Sequence, residues 1–353
     1  MSNEDTENGV IRKVVLDAIK NGKAEIKGIK ASMRKVSISE LFEEKELHNF
    51  DGWLVTELFD LEQGVTWGGE NCKEIYVIGK EVAGHLEQKL LYKTIGGRDI
   101  KAGRIDWREE YLIFPYVRAK SKWIPVFRHP SLGGDDALDF AKSVSSTEEG
   151  KDIKGKLNYR IAKGLVSYPL VASYFVEHYE KLENREFEDK KMSSYNKCWY
   201  EYHRPRKVSL LKKPKIVYKR VMKDPSFAID EKGYLPRDSV VSMTPRNKFA
   251  ELKANIESIL KKEVTVEQAL GYAVAFLNSD LFREVLEHRR SKKRGGYSIV
   301  DERLMKRFTI PRGTSKDVSI LNKILQGNAD EKDLLILCRP SRKKQAKLTH
   351  LQK

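Results

Sequence analysis

Most side chains in this sequence that could do chemistry are cations set beside glycine or aromatic residues. IGGRDIKAGRIDW carries Arg98, Lys101 and Arg104 among Gly96, Gly97 and Gly103. Long cations on a flexible loop can enter a nucleic-acid groove, and a guanidinium can bond guanine O6 and N7 together. Arg98 and Arg104 are the candidates to read a base, the alternative being a solvated turn. RAKSKW continues the pattern with Arg118, Lys120, Lys122 and Trp123, where phosphate contacts are expected. In HRPRK, Arg204, Arg206 and Lys207 follow Trp199, Tyr200 and Tyr202, aromatics read as the packed base of the loop. Strand alternation in KIVYKRVMK sends Lys219 and Arg220 to opposite faces, so one of the two meets a ligand. Arg289 and Arg290 open the run RRSKKR before Gly295 and Gly296, which suits a phosphate grip or a solvated helix end. Trp67, between Gly64 and the pair Gly68-Gly69, is either an aromatic that wedges or stacks, or a core residue under a hairpin turn.

Signals for bond-making chemistry are weaker. The seven histidines are scattered, without HExxH or a Cys/His cluster, so no metal is predicted. Cys72, Cys198 and Cys338 lie far apart and are read as reduced packing residues. Asp17, Glu25 and Lys27 have an Asp…Glu-x-Lys spacing that could serve a nuclease, but they fall on a helix and a short polar segment. Asp224-Pro225-Ser226-Phe227 is similar to the Asn/Asp-Pro-Pro-Tyr/Phe motif of amino-methyltransferases. It lacks the second proline and is rejected as catalytic. No glycine-rich loop has the strand–turn–helix context that S-adenosylmethionine needs. Catalytic and cofactor-binding residues are accordingly expected to be absent from this chain.

The elements that must position these groups are mixed. VIRKVVLDAIKNG, at 9–21, has helical spacing and stops at Asn-Gly, and a further helix is read from Ser39. From Trp53 the chain turns to short β-like runs, WLVTELFDL, KEIYVIG, LLYKTI and YLIFPYV, separated by glycine-rich turns. Residues 131–164 are weakly patterned and read as a loop. A helix follows from Pro169, with Leu170, Tyr174, Val176, Tyr179 and Leu182 near one face. KIVYKRV reads as a strand, and 249–260 and 265–288 as helices, the second capped by Thr265 with Gln268 three residues on. Two short helical pieces and a basic tail expected to be disordered close the chain. The expected class is α+β (mixed), a sheet-rich domain with flanking helices. Three regions are expected: a helical segment 1–50 for partner docking, a main domain 51–312 that includes helix 265–288, and a region 313–353 of short helices and tail.

At 353 residues with 40% hydrophobic and 33% charged residues, the profile is that of a water-exposed globular chain. No apolar stretch approaches a membrane span, and the acidic MSNEDTENG start is unlike a signal peptide, so a cytoplasmic location is expected. The net charge of +16 makes nucleic acid the first partner to consider, because neutralising a polyanion releases its counterions. An inert basic surface, or an RNA-binding or structural protein indifferent to sequence, remains an alternative on charge alone.

One ordered succession of segments goes further. It runs WLVTELFDLEQGVTWGG, LLYKTIGGRDIKAGRIDW, YLIFPY, HYEKLENRE, WYEYHRPR, KPKIVYKRVMKDPSFAIDEKGY, AVAFLNSDLF and GGYSIVDERLMKRFTIP. In this order they resemble the TaqI-like C-terminal specificity domain of N6-adenine DNA methyltransferases and restriction–modification enzymes, and the ends are similar to type I specificity-subunit half-domains. The resemblance covers about three-quarters of the chain, and its strength is the order, since each motif is short. It implies a target-recognition domain for double-stranded DNA, with DPSFAID at a Pro-x-Phe-Ala pattern of the family. It also implies that an adenine-N6 methyltransferase subunit, holding S-adenosylmethionine, does the methyl transfer, with a nuclease subunit as a further partner. The alternatives are a C-terminal fragment of a split adenine methyltransferase and a type II restriction endonuclease subunit.

Overall fold

The β-branched and aromatic run at 215–219 becomes a strand covered on both faces, with Ile216, Val217 and Tyr218 each 0% exposed. It lies at the heart of a computed structural model that describes residues 23–26, 29–32, 51–119, 122–126, 166, 168–191, 195, 198–207, 211, 213–280, 282–283, 286, 296–306 and 308–338. Four strands form an antiparallel sheet around it: β1 (Phe59–Gln63), β7 (Lys215–Lys219), β9 (Phe227–Asp230) and β11 (Val240–Pro245), in the order β9-β7-β11-β1. Val217 faces Ala228 on one side and Ser242 on the other. At its end, Lys215 and its cross-strand partner Asp230 form an ion pair with both side chains fully buried, and Lys215 Nζ also donates to Tyr234 O at 3.2 Å.

A second sheet holds β2 (Val77–Ile78), β3 (Leu91–Ile95), β6 (Tyr111–Ile113) and β10 (Leu235–Pro236), in the order β10-β3-β6-β2. Its β10–β3 pairing is parallel and the other pairings are antiparallel. The sheets are joined through backbone: Val65 N–H donates to Pro236 O at 2.9 Å, and Arg237 N–H to Ile95 O at 3.0 Å. Gly64 is required at this seam, since a Cβ there would lie 2.1 Å from Arg237 O. A hairpin of β4 (Ile100–Lys101) and β5 (Arg104–Ile105) extends from the seam, turning at Gly103 with φ +78°. A two-stranded ribbon of β8 (Val221–Met222) and β12 (Ser298–Ile299) lies beyond β7.

The expected mixed α+β class is what the chain adopts. α1 (Pro169–Glu177) packs on the second sheet, although its inward face is Val171, Ala172, Phe175 and Val176. Leu170, expected on that face, is 52% exposed. The run WLVTELFDL is not one strand: Gly52–Leu54 pairs with Thr309–Pro311, a helical turn follows over Val55–Leu58, and β1 comes after it. α2 (Phe249–Leu260) and α3 (Val266–Leu277) match their expected starts. α3 stops at Leu277 because Asn278 turns its amide onto Phe227, accepting from its N–H at 2.9 Å and donating to its carbonyl at 2.9 Å. The expected helix to 288 is thus interrupted at Asn278–Ser279, while Asp280, Phe282, Arg283 and Leu286 beyond the break are helical as expected. Thr265 caps α3 as expected, its hydroxyl accepting from Gln268 N–H at 3.2 Å while Gln268 bonds back to Thr265 N–H at 2.9 Å. Thr265→Ala is expected to cost about 1 kcal/mol in chemical denaturation.

α4 (Val318–Leu325) and α5 (Glu331–Leu337) follow, and residues 51–339 form one compact unit. Residues 1–50 and 340–353 form another, in which Lys23–Ile26 and Ile29–Ser32 make an antiparallel hairpin. The helices read at 9–21 and from Ser39, the loop 131–164 and the basic tail lie outside the described residues, as do Asp17 and Lys27. No helix among the described residues is long and apolar enough to cross a membrane.

Candidate nucleic-acid interface

The glycine-rich segment after β3 is shaped by one buried carboxylate. Asp99, 1% exposed, accepts from Gly96 N–H at 2.6 Å and holds Arg237 at 3.1 Å and Arg108 at 2.5 Å. Glu110 completes the network, 2.6 Å from Arg237 and 3.6 Å from Arg108. Gly96 must be glycine, because a Cβ would lie 2.4 Å from the Arg237 guanidinium. Gly97 N–H donates to the Ser239 hydroxyl at 3.0 Å. Arg108 and Arg237 are consequently neutralised, Arg237 inside the fold and Arg108 at its surface. Arg98 and Lys101 project from the same loop without an ion pair to any described residue.

These two residues line a cleft of 990 Å³ between the loop, the turn after β1 and the β7–β8 strand. Among the described residues, seven lysines and arginines line it against three carboxylates, Glu70, Asp224 and Asp238. Two of those cations are the neutralised Arg108 and Arg237. The other five are Lys73, Arg98, Lys101, Lys219 and Lys223, all exposed except the half-buried Lys219. Burial first, and the charge of Lys101 second, push the Lys219 ammonium below the usual lysine range, against a smaller opposing pull from Asp224. An anion in the cleft would offset both the repulsion from Lys101 and the lost hydration of Lys219.

The structure distributes the expected site residues unevenly. Trp67, Arg98, Lys101 and Lys219 are brought together at the cleft. Trp67 is only 8% exposed, stacked on Tyr76 at 6.3 Å, and its indole N–H is committed to Gly69 O at 3.2 Å. It is a core residue with one edge in the wall, and Gly68 and Gly69, at φ +83° and +73°, carry the turn above it. Arg104 points to Asp106 at 2.9 Å and does not line the cleft. Arg206 is tied to Gln63 Oε1 at 3.0 Å and Gly64 O at 3.3 Å, so it braces the seam between the sheets. Arg204 stands at the rim, 5.8 Å over the ring of Phe187, which does line the cleft. Arg220 is exposed on the opposite face from Lys219, as alternation requires, and Arg118 is exposed on a strand away from the cleft lining. Lys120, Arg289 and Arg290 lie outside the described residues, and of Lys122 only the backbone, in Lys122–Pro125, is described.

Trp199, Tyr200 and Tyr202 form the packed base expected of them, each at most 3% exposed. Tyr202 Oη donates to Ile113 O at 2.6 Å, and Tyr202 N–H to Tyr116 Oη at 2.7 Å. Phe227 of DPSF is 0% exposed with both backbone groups bound by Asn278, so its ring is closed to a base. Cys72, Cys198 and Cys338 form no disulfide, and the first two are buried. Among the described residues no group of His, Cys, Asp and Glu could hold a metal ion.

Lys73, Lys223 and Tyr297 also stand in the cleft wall, outside the residues that the sequence pattern singles out. For Lys223 a signal was present. Lys219, Val221 and Lys223 share one parity along KIVYKRVMK, and all three line the cleft.

No family model matches the chain, and no curated protein matches it. Among solved structures it is similar to one titled "Characterization and crystal structure of the type IIG restriction endonuclease BpuSI". The TM-score is 0.39 and the identity 11%, over 90% of this chain and 33% of that one. The chain therefore spans about a third of the length of that structure.

Proposed function

We propose that this chain is a target-recognition component of a restriction–modification or adenine-N6 methylation system, binding one duplex DNA site in the basic cleft. The observation that carries the reading is the set of cleft cations without an ion pair to a described residue, Lys101 and Lys219 among them, in a wall where Arg108 and Arg237 are both neutralised. Unpaired cations grip the backbone, and Arg98 on its glycine-rich loop is the residue placed to read a base. The ordered motifs from Trp53 to Pro311 add the family resemblance. Methyl transfer belongs in this account to a partner polypeptide that holds S-adenosylmethionine, with a nuclease subunit as a further associate.

Titration of labelled duplex DNA over a range of salt tests the binding. The log of affinity is expected to fall linearly with log salt, by about 0.9 per phosphate contacted. No binding at low salt would sink the reading. Affinity is also expected to fall as pH rises toward the ordinary lysine value of about 10.4, because Lys219 loses its proton before an ordinary lysine does. Lys219→Arg, which keeps its charge, should flatten that profile.

A further inference from the structure

The β8–β12 ribbon carries an exposed face that phosphate binding does not explain. Val221 pairs with Ile299 and Met222 with Ser298, and Lys223 and Tyr297 are the residues next to that last pair, just beyond the strands. Met222 and Ser298 face inward, at 2% and 1% exposure. The outer face presents Tyr297 at 47% and Val221 at 40%, with Lys223 beside them, and all three line the basic cleft. An aromatic and a β-branched side chain are therefore left in water next to cations.

We propose that Tyr297 and Val221 read the C5-methyl group of thymine in the major groove, an inference that rests on the duplex-binding reading above. The ligand that relieves this surface must supply negative charge and an apolar group a few ångströms apart. The major groove does so, with phosphates along its rims and the thymine methyl on its floor. At about 12 Å across, it admits a two-stranded ribbon. Side chains on such a ribbon stand perpendicular to it, so Tyr297 and Val221 meet the groove floor while Lys223 and Lys219 reach a rim. Insertion between base steps suits this face less well. Wedging side chains enter from the minor groove, which at about 6 Å across in undistorted duplex is narrower than a two-stranded ribbon, and the underside of this one is anchored by Met222.

The test rebuilds a bound duplex with deoxyuridine in place of every thymidine, which removes the methyl groups alone. Wild-type protein is expected to bind the uracil duplex more weakly, by about fourfold for each methyl contacted. The double variant Tyr297→Ala/Val221→Ala should bind the thymine duplex about as weakly and no longer distinguish the two. Both positions are exposed, and an unchanged thermal melt confirms that the variant is folded. Equal wild-type affinity for the two duplexes overturns the proposal, as does a folded variant that still discriminates. Loss of binding by the variant with no thymine preference in the wild type, but with tighter binding to mispaired DNA, assigns a wedge instead and also overturns it. Failure of the wild type to bind any duplex overturns the DNA-binding reading itself, a result distinguishable from all of these.

Discussion

Reversing the charge at Lys101 and Lys219 together is expected to lower duplex affinity on the order of 10³-fold near physiological salt. Each lysine contributes about 1 kcal/mol to a phosphate at contact distance in water, and each glutamate substitution replaces that attraction with a repulsion of similar size. Two such reversals amount to about 4 kcal/mol, which is about a thousandfold. The double variant Lys101→Glu/Lys219→Glu should also flatten the salt dependence by about two phosphate contacts. The control is Lys261→Glu/Lys316→Glu, which makes the same change in net charge at two exposed lysines outside the cleft lining. It is expected to weaken binding by no more than a few-fold, through the long-range field alone. Equal losses in the two variants, read by the same titration, would mean that net charge and not the cleft governs binding.

The second large effect is on stability. Asp99→Ala removes a buried carboxylate that serves Arg237, Arg108 and the Gly96 N–H at once. Arg237 is 4% exposed at its side chain and would keep only Glu110, itself 25% exposed. Removing one partner of a buried pair costs about 3–5 kcal/mol, because the charge left behind is stripped of water. The Arg108 share is smaller, since that side chain is 45% exposed and screened. Against a typical domain stability of about 5–15 kcal/mol, the loss should be plain in a denaturant titration. Asp99→Asn retains an acceptor for Gly96 and should recover part of it. Counting charges alone predicts the opposite for DNA, namely that losing an acidic residue beside the cleft tightens binding. The network account predicts weaker binding, since the loop that presents Arg98 and Lys101 loses its anchor.

Much of the architecture was legible because it depends on local pattern. The strand at 215–219, the starts of α1, α2 and α3, and the Thr265 cap follow from β-branched content, proline placement and a capping box, all of which act over a few residues. Alternation separated Lys219 from Arg220 correctly for the same reason. What failed depends on distant partners. The end of α3 is set by Asn278 reaching Phe227, 51 residues away in sequence. Arg104 and Arg206 looked as available as Arg98 and Lys101, yet Asp106 occupies the first, and Gln63 and Gly64 the second. Whether a cation is free is a property of the folded neighbourhood. Trp67 was open between wedge and core, and its stacking on Tyr76 places it in the core. Lys73 lies on a short helical turn after the Gly68-Gly69 bend, and no periodicity would have aimed it at the cleft.

Selection from a randomised duplex library, at a stated salt concentration, tests the central claim most directly. A target-recognition component should enrich one short motif, with single base changes in it costing about 1–3 kcal/mol each. Recovery of all sequences in equal proportion would contradict the account, leaving a basic cleft that holds DNA without reading it.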